Sequence, residues 1–456
     1  VFLSKGKPGN IDFGFPIVVD KNDITKEKER HMEKLVGLYT GTQQMLEEPA
    51  YFKLLQSELG LTHVIMGGEY LLSEAAQAKN PMPPGQESTA PCRGGVTDTE
   101  LRQALDAAHD MGLQVWFCTG GWHGGGRDCP ELCMTDMHHE RMSEVPLMRY
   151  AIEQNSVALC PGNEPMSDWF RTVIAEVMAT YPFEGVDLTH FRYTAPAFLH
   201  NLFGCGCQRC EAVAQRQGYD FDHMRRSVLN FWDRLQNLDA KAIRDAGDRG
   251  LGLMDLSEWL GLDAGLSQWF EFRAGVINGH LRSFKEAAHA SADRPIMFGS
   301  DTFPPTFARL VGHSYKASMS WADYTSPLLS HVGVFVLSTF ATYADTLCQW
   351  TDGLAEEDAL RFVYRLFGYD HLDLPLRLED IGIETPDFEN NTKALYDIVE
   401  LELHRARLYN TGEIPSYPVI KGATWSPDIV RRLMDAADKM GHEGIIFQGT
   451  DSLVKW

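Results

Sequence analysis

Short apolar runs alternate with amphipathic stretches along most of this chain. Residues 35–39, 62–66, 113–118, 183–193, 295–301, 321–327, 417–422 and 443–448 read as strands. Between them, residues 49–59, 97–111, 165–180, 222–247, 266–291, 331–349, 355–368 and 426–440 carry helical periodicity, with Thr97 or Asp98 placed to cap the second of these. Eight strands in order, separated by helices, predict an α/β chain closed as a (β/α)8 TIM barrel. Residues 1–30 read as an N-terminal arm, in which Ile11–Phe15 is a candidate extra strand, and 31–456 as the barrel. An open doubly wound sheet is the rival architecture, but no G-x-G-x-x-G follows the first strand and no P-loop is present. Gly124-Gly125-Gly126 lacks the Lys-Ser/Thr ending of a phosphate loop and reads as a rim loop.

Barrel enzymes keep their chemistry at the C-terminal ends of the strands. In the fourth strand Val186 and Leu188 alternate with Asp187 and Thr189, which points the polar pair inward. An inward carboxylate is costly without a partner, and His190 and Arg192 are the nearest candidates. The same alternation turns Asp301 inward on the fifth strand, beside outward Ile296 and Phe298. Glu69 ends the second strand, Trp122 and His123 the third, Asp323 the sixth and Gln448 the eighth. Carboxylates gathered at strand ends suit glycosidic cleavage, which uses one carboxyl as acid and another as base or nucleophile. Each residue also has a plain structural reading: an ion pair for Asp187 with Arg192, a solvated loop carboxylate for Glu69, a satisfied loop imidazole for His123. His138-His139 hints at a metal, but no H-E-x-x-H supports it, and no G-x-S-x-G marks a serine esterase.

Composition narrows the partners. The 456 residues carry a net charge of −22, which disfavours nucleic acid and anionic membrane surfaces. Aromatic residues make up 11% of the chain, enough to furnish sugar platforms as well as a core. No apolar run is long enough for a transmembrane helix. The chain opens Val-Phe-Leu-Ser-Lys, so processing is open; the expected location is cytoplasmic.

Cys205, Cys207 and Cys210 form a C-x-C-x-x-C cluster, and Cys160 precedes Pro161 upstream. Four thiolates around Zn²⁺ make a closed structural site. Disulfides and buried thiols also fit, although nine cysteines is an odd number. Cys129 and Cys133 are alternative ligands in place of Cys160. The loop near 200–215 is therefore the expected zinc-binding loop.

Cys160-Pro161, 45 positions before Cys205, resembles the four-cysteine zinc site of a β-galactosidase family. The run Leu159-Cys160-Pro161-Gly162-Asn163, the strand Gly185–Tyr193, Gly299-Ser300-Asp301, Val311–Tyr315 and Asp323–Pro327 resemble a set of glycosyl-hydrolase-like barrels over residues 35–450. The resemblance implies a glycosidase with a carbohydrate substrate and a structural zinc. The β-galactosidases carry an Asn-Glu pair at the end of the fourth strand, which is absent here, and Thr189 stands where many related barrels have Asp. The expected catalytic set is Asp187 with Glu69 or Asp301, assisted by His190. Arg192, Trp122, His123, Asp323 and Gln448 are expected around the substrate. A carbohydrate-binding barrel without turnover, a histidine-dependent or metal-assisted hydrolase or lyase, and a homo-oligomer remain open.

Overall fold

The computed structural model describes residues 34–67, 71–82, 96–122, 129–152, 159–385, 388 and 394–454. The arm at 1–30, Glu69 and His123 lie outside the described residues. Eight parallel strands form the barrel: β1 (Leu35–Thr40), β2 (His63–Gly67), β3 (Gln114–Gly120), β4 (Gly185–Thr189), β5 (Met297–Thr302), β6 (Ser326–Pro327), β7 (Val419–Ile420) and β8 (Gly444–Phe447). They run in the order β6-β5-β4-β3-β2-β1-β8-β7. Isolated parallel bridges from Thr325 to Ser416 and from Leu328 to Val419 join the two ends, so the sheet closes.

The helices of nine or more residues are α1 (Pro49–Leu59), α2 (Asp98–Asp110), α3 (Glu164–Thr180), α4 (Gln208–Arg216), α5 (Phe221–Gln236), α6 (Ala240–Arg249), α7 (Ala264–Ser291), α8 (Ser338–Trp350), α9 (Glu356–Leu366), α10 (Leu395–Asn410) and α11 (Pro427–Lys439). Helix α2 begins as the sequence predicts: Thr97 accepts from the Glu100 backbone, and Glu100 accepts from the Thr97 backbone. The single helix expected over 222–247 is two. Asp239 caps a fresh start by accepting from Ala242 N.

The interior is packed in layers. Trp116 fills the lower part, its ring 4.6 Å from Tyr324 and 5.0 Å from His63. Glycine makes that possible. A Cβ on Gly185 would meet Trp116 at 2.6 Å, and one on Gly299 would meet the Tyr324 ring at 2.4 Å. Burial lowers the His63 pKa to about 4, so this imidazole stays neutral inside the apolar layer. No helix of the described residues is long and apolar enough to cross a membrane.

Candidate active site

Strand register decides which side chains meet above this aromatic floor. Asp187 pairs with Cys118 on one side and Gly299 on the other, so these positions share the inner face. Asp301 is one inward step beyond Gly299, nearer the C-terminal mouth, and pairs with Ser326. The structure thus brings Asp187 and Asp301 together. Both are buried, at 0% and 4% exposure.

Tyr39, near the end of β1, joins them. Its phenol oxygen lies 2.5 Å from Asp187 Oδ2 and 2.9 Å from Asp301 Oδ1. A phenol has one proton to give. When that proton goes to Asp187, the contact with Asp301 is a hydrogen bond only if Asp301 is itself protonated and donates back. The electrostatics agree with that assignment. Burial, and then the Asp187 charge, push the Asp301 carboxyl well above its ordinary range. Asp187 is also raised by burial; hydroxyls oppose the rise in both carboxyls, and the extra upward push on Asp301 is the Asp187 charge. Tyr324 Oη shares its one proton between Asp187 Oδ1 and Val186 O, both at 2.9 Å, and Ser326 Oγ donates to Asp187 Oδ1 at 3.0 Å. Burial and the two carboxyls hold the Tyr39 phenol far above its usual value, so it stays a donor. The array is an acid, a phenol and a carboxylate in series.

A cation or donor is expected beside Asp187, with His190 and Arg192 the nearest candidates; the groups found there are the hydroxyls of Tyr39, Tyr324 and Ser326. Arg192 is buried, donates to Tyr193 O at 3.1 Å and lies over the rings of Phe303 and Phe335, at 4.7 and 5.3 Å. Sequence reasoning missed Tyr39, Tyr324 and Ser326. Their signal was inward alternation on β1 and β6, hidden because Tyr39 is 148 positions from Asp187 and 262 from Asp301.

The other expected residues divide. His190 sits half-buried just past β4, with a left-handed backbone (φ 59) and its Nδ1 2.9 Å from Thr189 Oγ1. Gln448 follows β8 and is half-buried, its backbone N donating to Ile420 O. Both are at the mouth. Trp122 is not. Its backbone turns at φ 55 and its ring is buried against Phe170, Phe191, His280 and Phe284. Asp323 lies at the opposite end of the barrel. It accepts from Lys285 Nζ at 2.5 Å and from Phe298 N at 3.0 Å, because β6 pairs only over Ser326–Pro327 and Asp323 precedes it. It clamps α7 to the start of β5.

The cysteines form a second centre. The sulfurs of Cys160, Cys205, Cys207 and Cys210 all lie within 4.8 Å of one another. Cys160 Sγ is 3.5 Å from Cys207 Sγ and 3.4 Å from Cys210 Sγ. A ZnS₄ tetrahedron with bonds of ~2.3 Å has edges of ~3.8 Å, so the four sulfurs fit a metal, and their separations are far too long for disulfides. Gly162 leaves the room: a Cβ there would sit 2.9 Å from Cys210 Sγ. Contacts among the four sulfurs lower the Cys207 thiol and raise those of Cys160 and Cys210, so these thiols titrate as one group. The buried Arg273 guanidinium lies close enough to interact electrostatically with Cys205 and Cys210. Cys129 and Cys133 are not in the group. Four sulfurs that could bind a metal join the loop after β3, through Cys160, to the loop after β4.

No family model matches this chain, and no curated protein matches it. Its fold is similar to several solved structures. One is the PgaB (BpsB) glycoside hydrolase domain from Bordetella bronchiseptica, 9% identical over 92% of this chain and 94% of that one, TM-score 0.49. Another is the catalytic domain of a β-amylase from Paenibacillus polymyxa, 12% identical over 92% and 93%, TM-score 0.47. A third is a β-galactosidase from Marinomonas ef1, 10% identical over 91% of this chain and 53% of that one, TM-score 0.47. The barrel itself stands on the strand pairing described above.

Proposed function

We propose that this protein is a glycoside hydrolase whose proton donor is Asp301. One observation carries the reading: two inward carboxyls on adjacent strands are bridged by a single phenol, whose one proton can serve only one of them. Glycosidic cleavage needs a carboxylic acid that stays protonated near neutral pH. Asp301, nearer the mouth than Asp187, is that acid. It gives its proton to the departing glycosidic oxygen. Asp187 is buried beneath Tyr39 and acts through it: its charge keeps Asp301 protonated, and Tyr39 orients the donor. Asp187 is thus a positioning residue and Asp301 a catalytic one.

The second working carboxylate is Glu69, two residues past the end of β2, assigned by sequence position. His190 and Gln448, at the mouth, are assigned to sugar hydroxyls. The four cysteines are assigned to a structural Zn²⁺ held by Cys160, Cys205, Cys207 and Cys210. A closed Cys₄ site supplies no reactive position; it ties down the loops after β3 and β4. The reading is tested by hydrolysis of a panel of aryl glycosides with wild type, Asp301→Asn and Glu69→Gln. Both variants are expected to lose at least ~10²-fold in turnover, the scale of acid–base groups. Folded variants with near-normal turnover would remove the assignment.

A further inference from the structure

Helices α5, α7, α8 and α9 surround a cavity of ≈ 240 Å³, together with the short helices Leu199–Leu202, after β4, and Leu253–Glu258. Every side chain in its wall is Leu, Phe, Val or Trp, except Tyr343 and Thr346. Those two hydroxyls are engaged elsewhere. Tyr343 Oη donates to Pro196 O at 2.9 Å, and Thr346 Oγ1 donates to Thr342 O at 2.7 Å. Among the described residues no charged side chain lines the cavity, and it shares no wall with the Asp187–Asp301 pair or the four cysteines.

Protein interiors leave few voids larger than a water, because walls that can move close over the gap. These walls are pinned. Arg273 Nη1 donates to Leu202 O at 3.4 Å and to Leu310 O at 2.8 Å, which fixes two parts of the wall to one guanidinium. Arg234 Nη1 donates to Glu258 O at 2.9 Å and to Trp259 O at 2.8 Å, which ties α5 to the segment carrying Leu256 and Leu260. Thr351 Oγ1 donates to Leu238 O at 3.1 Å and joins the end of α8 to the end of α5. The hollow is held open by bonds that an occupant would leave intact. Leu202, Leu347 and Val363 are buried, whereas Leu235, Leu256 and Leu366 are half-buried and mark the side of entry.

We propose that this cavity is a binding site for one uncharged, apolar small molecule, a hydrocarbon ring or chain of roughly ten carbon atoms. The wall sets that chemistry. A charged or strongly hydrogen-bonding molecule would shed its water and gain little in exchange. Water itself finds too few partners, and apolar cavities of this kind stay dry. An apolar cavity of ~150 Å³ is enough for benzene, so this one has room for a ring with a short alkyl tail. Burial of that apolar surface supplies the driving force. Occupancy requires no turnover, so the site extends beyond the reaction proposed above.

The test is calorimetric titration of the full chain with n-butylbenzene and with its charged analogue 4-butylbenzoate, on wild type, Leu235→Trp and Leu256→Trp. Both substitutions place a larger side chain at a half-buried position of the wall, where it fills the cavity. Saturable one-to-one binding of n-butylbenzene to wild type is expected, at least ~10-fold weaker for 4-butylbenzoate and at least ~10-fold weaker in both variants. Bound n-butylbenzene should also raise the melting temperature of wild type and leave that of the variants unchanged. If neither variant folds, xenon-pressurised crystals of wild type carry the comparison, with a xenon peak expected among Leu202, Leu347 and Val363. No saturable binding up to the solubility limit, equal affinity in wild type and folded variants, equal affinity for the charged analogue, or an empty cavity under xenon overturns the proposal. A chain that binds n-butylbenzene and hydrolyses no glycoside keeps this site and loses the reaction proposed above. Hydrolysis without such binding does the reverse.

Discussion

One phenol proton cannot serve two carboxylates at once, and that shortage organises the site. Asp187 and Asp301 both have raised pKa values, with burial as the main cause. A carboxyl raised in the folded state binds more protons folded than unfolded. Its stabilising contribution is therefore complete below the ordinary carboxylate range and is lost as pH rises through the folded value. Asp301→Asn keeps the shape and removes the titration. Thermal melts should show the variant losing less stability than wild type between about pH 5 and about pH 8, and melting higher at the alkaline end. Identical pH profiles would show that Asp301 is not held protonated. Asp187→Asn has a different signature. It removes the negative charge that raises Asp301, so the alkaline limb of the kcat/KM profile should move to lower pH. An unmoved limb would separate the two groups.

At the scale of elements, most strands could be read from alternation, because an inner face packed against one core leaves a period of two. Asp187 and Asp301 were legible for the same reason. Tyr39 was not, since nothing local tells an inward Tyr of the floor from one that binds two distant carboxyls. Asp323 was misplaced because β6 pairs over two residues, and its apolar approach reads as strand. Helix α10 has no counterpart among the helices that the sequence pattern predicts, although Leu395, Ile398, Val399, Leu403 and Ala406 form its buried stripe; the same face carries Glu402, which is fully buried and accepts from Tyr369 Oη at 2.7 Å. Interior packing gives its own test. Gly185→Ala or Gly299→Ala would push a methyl into Trp116 or Tyr324. Each should destabilise by about 1–3 kcal/mol in denaturant titrations, the usual cost of overpacking. The cysteine loops give another. Cys207→Ser should lower the melting temperature and the bound zinc measured by elemental analysis, while aryl-glycoside turnover at low temperature persists. A protein purified without metal and insensitive to this substitution would leave the cluster as buried thiols.

At the scale of the molecule, closure of the barrel turns eight local strand ends into one site. Residues from β1, β4, β5 and β6 meet there, and the cysteine cluster fixes the two loops that follow β3 and β4 at the same end. The chain's charge of −22 disfavours polyanionic partners and suits the neutral sugar substrate proposed above. The most direct test is the pH dependence of kcat/KM for the best-cleaved aryl glycoside, measured on wild type and Asp301→Asn. The wild-type profile should fall at alkaline pH as the acid ionises, and turnover should be at least ~10²-fold lower in the variant, without that limb. A folded Asp301→Asn protein with wild-type turnover and the same alkaline limb would contradict it.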